Sequence, residues 1–310
     1  MIAFVFRVLN DQANQYLASK LPEGIEPVFR TDLNPGEWYN AFTQADYILG
    51  NPPRDWFTRF PAKLKFWQLS SAGFSEYEGM EVPVPTANMG DFFARPCAET
   101  IVGGVLAFYR GIHTVTRLQL KKDWQGEKLR PFLRLLGDQQ AVVLGAGAIG
   151  KYVKAMLLGF GCKVLLTART NPAADLHSPE QLMQVLPKTT LLINTLPGSA
   201  EKYVTAQMLE ALPSQAVYAS VGRGETTDEA ALIAALQSGK LAGAVLDVTE
   251  EEPLPTYSPL WDMEQVILTQ HTGGGKGDEL VGIADQFIDN LQHFLKKEPL
   301  ENAITLSRGY

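Results

Sequence analysis

The sequence predicts an α/β protein built from two doubly wound parallel-sheet domains, and three observations carry that expectation. Strand-like apolar runs alternate with helix-like stretches through the first hundred residues, and the alternation restarts from Gln140. Such interleaving favours parallel strands covered by helices. The length, 310 residues, suits two ordinary domains rather than one. Finally, a glycine-rich turn, Gly145-Ala146-Gly147-Ala148-Ile149-Gly150, stands between an apolar strand and a helix pattern.

In chain order, Ile2–Phe6 reads as a strand, Asp11–Ser19 as a helix, and Val28-Phe29, Ala45–Gly50 and Lys65–Leu69 as strands. Residues 82–96, with Pro83, Pro85 and Pro96, read as a loop or linker. Ala98–Arg110 reads as an apolar helix bridging the domains. The basic-leaning stretch with Lys121, Lys122, Lys128, Arg130 and Arg134 reads as solvated surface. Then follow strands at Ala141–Leu144, Lys163–Leu166, Thr190–Asn194, Ala216–Ser220, Gly243–Leu246 and Gln265–Leu268. Helices at Ile149–Gly159, Ser178–Val185, Ala206–Ala211 and Asp228–Ser238 separate them. The last helix, Asp278–Leu295, lies beyond this sheet. The expected division is therefore 1–97, 98–277 and a returning 278–310.

Composition excludes several classes. The formal net charge is −7, which gives no general attraction to phosphate backbones or anionic lipid, so neither nucleic acid nor membrane is an expected partner. No apolar run reaches the ~18 residues of a membrane span. The N-terminal MIAFVFR is too quickly polar for a signal peptide, so the expected compartment is the cytoplasm. Cys97 and Cys162 are the only cysteines, too few for a disulfide framework. His113 and His293 fall in helical patterns and His177 in a polar loop, so no metal site is expected. No GxSxG elbow is present.

The glycine turn has a direct physical reading. Gly145 permits a tight turn, Gly147 lets the backbone approach a pyrophosphate, and Gly150 lets the helix pack close to the strand. Free amides at the helix start, near Ala148 and Ile149, then face negative phosphate oxygens. A dinucleotide is the expected ligand. At the end of the next strand an acidic residue commonly accepts the ribose hydroxyls, but here the sequence is Thr167-Ala168-Arg169-Thr170. Two unit charges 4 Å apart at an effective dielectric of 20 interact by about 4 kcal/mol. A carboxylate would thus repel a 2′-phosphate, whereas the forked guanidinium of Arg169 attracts it. The expected cofactor is NADP(H) before NAD(H).

Three downstream segments each follow a predicted strand: Ser220-Val221-Gly222-Arg223-Gly224-Glu225, Leu246–Leu254, and Leu268-Thr269-Gln270-His271-Thr272-Gly273-Gly274. The carboxyl ends of strands in open α/β sheets face the ligand crevice, which gathers Arg223, Glu252 and His271 around one cleft. The Ser70-Ser71-Ala72-Gly73-Phe74 run follows a first-domain strand, and its small residues leave amides free to form an anion nest.

At these residues the sequence resembles the D-2-hydroxyacid dehydrogenase family. The likeness runs from Ser220 through Ala230–Leu241 to Asp247-Val248, and it includes Glu252-Pro253-Leu254 and Thr269-x-His271. It implies a Rossmann nucleotide-binding domain plus a flavodoxin-like substrate domain, and a homodimer; Trp124 reads equally as part of that contact or as a surface tryptophan. In the family, the residues matching Arg223, Glu252 and His271 are catalytic. His271 would donate the proton, Glu252 would stabilise the imidazolium, and Arg223 would clamp the keto acid. The cofactor carries the hydride. The resemblance places backbone amides of Ala72 and Gly73 on the substrate carboxylate. It places Leu196, Pro197, Val221, Asp247, Gly273, Arg169 and Thr170 along the cofactor; Asp247 has a second reading as a turn cap. Gln270 stands where the family usually has proline. Ala168-Arg169 is shared with NADP-using glyoxylate/hydroxypyruvate reductases, so the expected reaction is reduction of a small 2-oxo acid, with Phe74 and Trp261 limiting its size. A non-catalytic dinucleotide-sensing protein of the superfamily is the alternative. A formate dehydrogenase is a further one, disfavoured because Glu252 stands where that group resembles Gln.

Overall fold

The strands form two six-stranded sheets in a computed structural model, which describes residues 1–308. In chain order, β1 (Ile2–Val5), β2 (Glu26–Phe29), β3 (Tyr47–Leu49), β4 (Phe66–Gln68) and β5 (Thr86–Ala87) build the first sheet. The second holds β6 (Gln140–Leu144), β7 (Lys163–Thr167), β8 (Leu191–Asn194), β9 (Ala216–Ser220), β10 (Leu241–Leu246) and β11 (Val266–Leu268). A short β12 (Ala303–Ile304) returns to pair antiparallel with β5. All other pairings are parallel.

The chain divides into Met1–Phe93 with the segment from Lys276 onward, and Ala94–Gly275. The first division thus falls at Phe93/Ala94, ahead of the expected residue 97. The cause is that the helix begins at Ala94, not Ala98, and runs to Tyr109. Pro96 lies in its first turn, where a missing N–H costs no helical hydrogen bond. Residues 82–96 are accordingly not all loop, since they also contain β5.

The first sheet has the order β2-β1-β3-β4-β5-β12. The two-residue period of a strand sends alternate side chains of β1 to opposite faces. Ala3 and Val5 pack with Leu17 and with Ile283, Phe287 and Leu291 of the final helix, Glu279–Lys296. Phe4 meets Phe42, Phe57 and Trp67 on the other face. Full burial of each such large side chain contributes roughly 1.5–3 kcal/mol. Phe74 is 6 % exposed within this second cluster. It is a core residue, which corrects the expectation that it limits substrate size.

The second sheet has the order β7-β6-β8-β9-β10-β11. Helix Ala94–Tyr109 places Ile101 and Val105 against Ala141 and Val143 of β6, while Val142 and Leu144 face Leu182, Leu209 and Leu232. The chain steps from β6 to β7 on one side and then crosses back to β8 on the other side of β6, and such a reversal of strand order opens a crevice at the strand carboxyl ends. Among the described residues no helix is long and apolar enough to cross a membrane. Cys97 and Cys162 are free thiols.

Candidate active site

The glycine turn leaves β6 and starts helix Ala148–Gly159. Gly145 has φ +101°, a left-handed conformation that favours glycine. A Cβ on Gly150 would collide with the Gly145 carbonyl, so this glycine lets the helix close onto the turn. A Cβ on Gly147 would meet nothing within 4 Å. That open side, with the unpaired amides of a helix start, fits a pyrophosphate. Thr167 at the end of β7 accepts from the Gly145 amide at 3.2 Å, and Asn171 donates to the Ala146 carbonyl at 3.1 Å. The turn and the Ala168–Asn171 segment are therefore one construction, from which Arg169 and Thr170 project exposed.

Asn194, at the end of β8, is fully buried. Its Oδ1 accepts from the Leu196 amide at 3.0 Å, while Nδ2 donates to Thr226 Oγ1 at 2.7 Å and Tyr218 Oη at 3.1 Å. Thr226 donates onward to the Arg223 carbonyl at 2.5 Å. A Cβ on Gly222 would lie 2.8 Å from the Leu196 nitrogen. Leu196-Pro197 and Val221–Arg223 are thus held as touching loops around one buried amide. In the sequence Asn194 is marked only as a polar residue closing the apolar run Leu191-Leu192-Ile193.

Arg223, Glu252 and His271 follow β9, β10 and β11, three neighbouring strands. Arg223 is half-buried and its guanidinium donates to the Gly222 carbonyl at 2.8 Å. His271 Nδ1 lies 2.6 Å from Glu252 Oε2. Glu252 Oε1 accepts from the Thr249 amide at 3.1 Å, so the carboxylate is oriented from both oxygens. Of the three consecutive glutamates, only Glu252 meets the imidazole: Glu250 pairs with Lys202 at 2.5 Å. With Nδ1 engaged by a carboxylate, Nε2 is the ring nitrogen left for another partner.

The turn that carries His271 hangs on Asp247, which is 4 % exposed. Its Oδ1 accepts from Thr269 Oγ1 at 2.5 Å and from the Thr272 and Gly273 amides at 3.1 and 3.0 Å. Its carbonyl takes the His271 amide at 2.6 Å. Asp247 is thus the organiser of this turn. Gly273 is needed there, since a Cβ would stand 2.6 Å from Asp247 Oδ2. Gln270 and His271 are both left-handed, at φ +54° and +55°. Proline, held near −65°, cannot adopt the first of these. A cavity of about 420 Å³ opens beside the pair, lined by Glu252, His271 and Gln270 and by Leu254, Trp261 and Leu268. Ala72 and Gly73 follow β4 in the first unit.

Residues 102–273 match the family described as D-isomer specific 2-hydroxyacid dehydrogenase, NAD binding domain. Glyoxylate/hydroxypyruvate reductase A of Salmonella heidelberg is 31 % identical over 220 residues, 68 % of each chain. A D-isomer specific 2-hydroxyacid dehydrogenase from Xanthobacter autotrophicus Py2, crystallised with NADPH and MES, superposes with a TM-score of 0.81 at 29 % identity, covering 100 % of this chain and 99 % of that one. An NADPH-dependent glyoxylate/hydroxypyruvate reductase from Sinorhizobium meliloti shares the fold, with a TM-score of 0.83 at 22 % identity over 100 % and 99 % of the two chains. With more than half its length matched to the family and a glycine turn and strand order suited to a dinucleotide, the chain belongs to the D-isomer specific 2-hydroxyacid dehydrogenases.

Proposed function

We propose that the protein reduces a small 2-oxo acid of the glyoxylate or hydroxypyruvate kind to the D-2-hydroxy acid, using NADPH. The observation that carries this reading is the 2.6 Å pairing of His271 Nδ1 with Glu252. It orients the ring and leaves Nε2 as the nitrogen to serve a carbonyl oxygen as proton donor. Arg223, fixed through Gly222 and Thr226, supplies a cation to hold the carboxylate and carbonyl of the keto acid. The amides of Ala72 and Gly73 are the first unit's donors for a substrate carboxylate. Gly145–Gly150 carry the pyrophosphate, Arg169 and Thr170 the adenosine 2′-phosphate, and Leu196, Pro197, Val221, Asp247 and Gly273 border the rest. When bound, the dinucleotide supplies the hydride. The NADPH-bound Xanthobacter structure and the Salmonella reductase support the choice of cofactor and substrate class.

The same reading gives a cytoplasmic homodimer. Its support is an exposed apolar series on one segment, Leu120 at 82 %, Trp124 at 95 % and Phe132 at 78 % exposure, which sedimentation would report as a dimer dissociated by Trp124→Asp. The deciding experiment for the reaction follows NADPH and NADH oxidation with glyoxylate, hydroxypyruvate and pyruvate. Turnover of the first two with kcat/KM higher for NADPH is expected. No turnover with any of them would overturn the assignment.

A further inference from the structure

The turn after β4 shows an unusual division of its polar groups. Every carbonyl from Ser71 to Gly73 is tied inward: Ser71 O accepts from the Met89 amide at 3.0 Å, Ala72 O from Asn88 Nδ2 at 2.6 Å, and Gly73 O from Ser71 Oγ at 2.6 Å. The amides of Ser71, Ala72 and Gly73 have no acceptor among the described residues. Three pinned carbonyls and three free donors make a surface of one electrostatic sign, the requirement for holding an anion.

Two asparagines impose this division. Asn51, just beyond β3, accepts through Oδ1 from the Ser70 amide at 3.0 Å and Ser70 Oγ at 3.1 Å; its Nδ2 donates to Ser71 Oγ at 2.8 Å and Glu76 Oε1 at 3.0 Å. By donating to a Ser71 Oγ lone pair, it orients the hydroxyl so that its proton goes to Gly73 O. Asn88, 7 % exposed, has its orientation dictated from every side. Oδ1 takes the Gly90 amide at 2.9 Å, which turns Nδ2 toward Ala72 O. Its own amide donates to Asn302 O, and its carbonyl accepts from Gln68 at 2.9 Å and from Gln286 of the final helix at 3.2 Å. Asn290 of the same helix holds Gln68 Oε1 at 2.8 Å. The returning helix thus reaches the turn through a chain of amides.

We infer that Asn51 and Asn88 are positioning residues that fix the Ser71–Gly73 amides outward, so that the turn receives the carboxylate of the 2-oxo acid. This rests on the reductase reading above and adds to it which side chains preorganise that contact. Neither asparagine touches the substrate. Without Asn88 the Ala72 peptide is free to rotate, and its carbonyl would oppose the anion that its neighbouring amides attract.

The test compares wild type with Asn51→Ala, Asn88→Ala and Ser71→Ala. Each is assayed for glyoxylate kinetics, oxamate inhibition and NADPH binding by fluorescence. The expected result is a KM for glyoxylate and a Ki for oxamate that rise together, by about 10- to 100-fold, with kcat changed little and NADPH affinity unchanged. Ser71→Ala removes only a hydroxyl and decides the matter if either asparagine variant does not fold. Wild-type values of KM and Ki in the folded variants would overturn the inference. If wild type turns over no 2-oxo acid, the reductase reading fails separately, and calorimetry of oxamate on the NADPH-loaded protein decides the turn. Binding that Ser71→Ala weakens would uphold it; equal binding in both, or none to either, would overturn it.

Discussion

His271 Nδ1 stands 2.6 Å from Glu252 Oε2, while the second oxygen of that carboxylate is held 3.1 Å from the Thr249 amide. The glutamate is thereby a fixed acceptor rather than a freely turning side chain, and the imidazole inherits its orientation. Glu252→Gln replaces an acceptor with a group that can present its NH₂ to Nδ1 and reverse the tautomer. The expected effect is a fall in kcat on the order of 100-fold with little change in NADPH affinity, read by steady-state kinetics and cofactor titration. His271→Gln should cost at least as much. Near wild-type kcat in either variant would remove the pair from proton transfer.

Gln270 offers a sharper backbone test. Its φ of +54° lies outside the range of proline, so Gln270→Pro, although it restores the residue usual in the family, must rebuild the turn that carries His271. We expect kcat to fall tenfold or more while the fold persists. Gln270→Gly, which adopts φ > 0 without steric cost, should retain activity. Equal activity of the proline and glycine variants would show that the turn tolerates both conformations.

Arg169 should govern the choice between the two dinucleotides. Arg169→Ala is expected to raise the KM for NADPH about 10- to 100-fold while leaving that for NADH within a fewfold. Ala168→Asp should go further, by placing a carboxylate against the 2′-phosphate. A parallel rise for both cofactors would assign Arg169 to general anchoring instead.

Acid stability has one local contributor at the nucleotide-binding edge. Burial pushes the Asp175 carboxyl up, but the hydrogen bonds from Lys154, 2.8 Å away, and from the Leu166 amide outweigh it, and the group lies below its ordinary value of 3.8. A carboxyl depressed by folding stabilises the native state above the unfolded pKa, and that contribution is lost as pH falls through the folded one. Asp175→Asn should therefore lower Tm slightly at neutral pH, with the difference from wild type vanishing well below pH 3.8. The pair is part-exposed, so the effect is a fraction of a kcal/mol. Thermal melts across pH would show it, and a constant offset at all pH values would assign it to packing.

Much of the molecule is legible in the chain. The alternating apolar runs place β6 to β11 within a few residues, and Arg223, Glu252 and His271 stand out as candidates by the family resemblance and by following three strands, Glu252 being told from its neighbours only by Pro253. What escapes depends on contacts made at a distance. β5 and β12 are two residues each and exist as strands only by pairing with their neighbours. The start of the helix at Ala94 is hidden by Pro96, which reads locally as a break. Gln270 announces no left-handed turn by its identity, and Asn88 looks like any loop asparagine until Gly90, Gln68 and Gln286 surround it.

The bare α-carbon of Gly222, pressed against the backbone of Leu196, sets a limit on how this protein can be re-engineered. Any side chain introduced there would shove the Leu196 loop and the Arg223 loop apart in a single motion, so substitutions at that spot disturb both at once. The rim formed by Leu254 and Trp261 bears no such double duty, and libraries built there can vary the pocket while sparing the apparatus beside it.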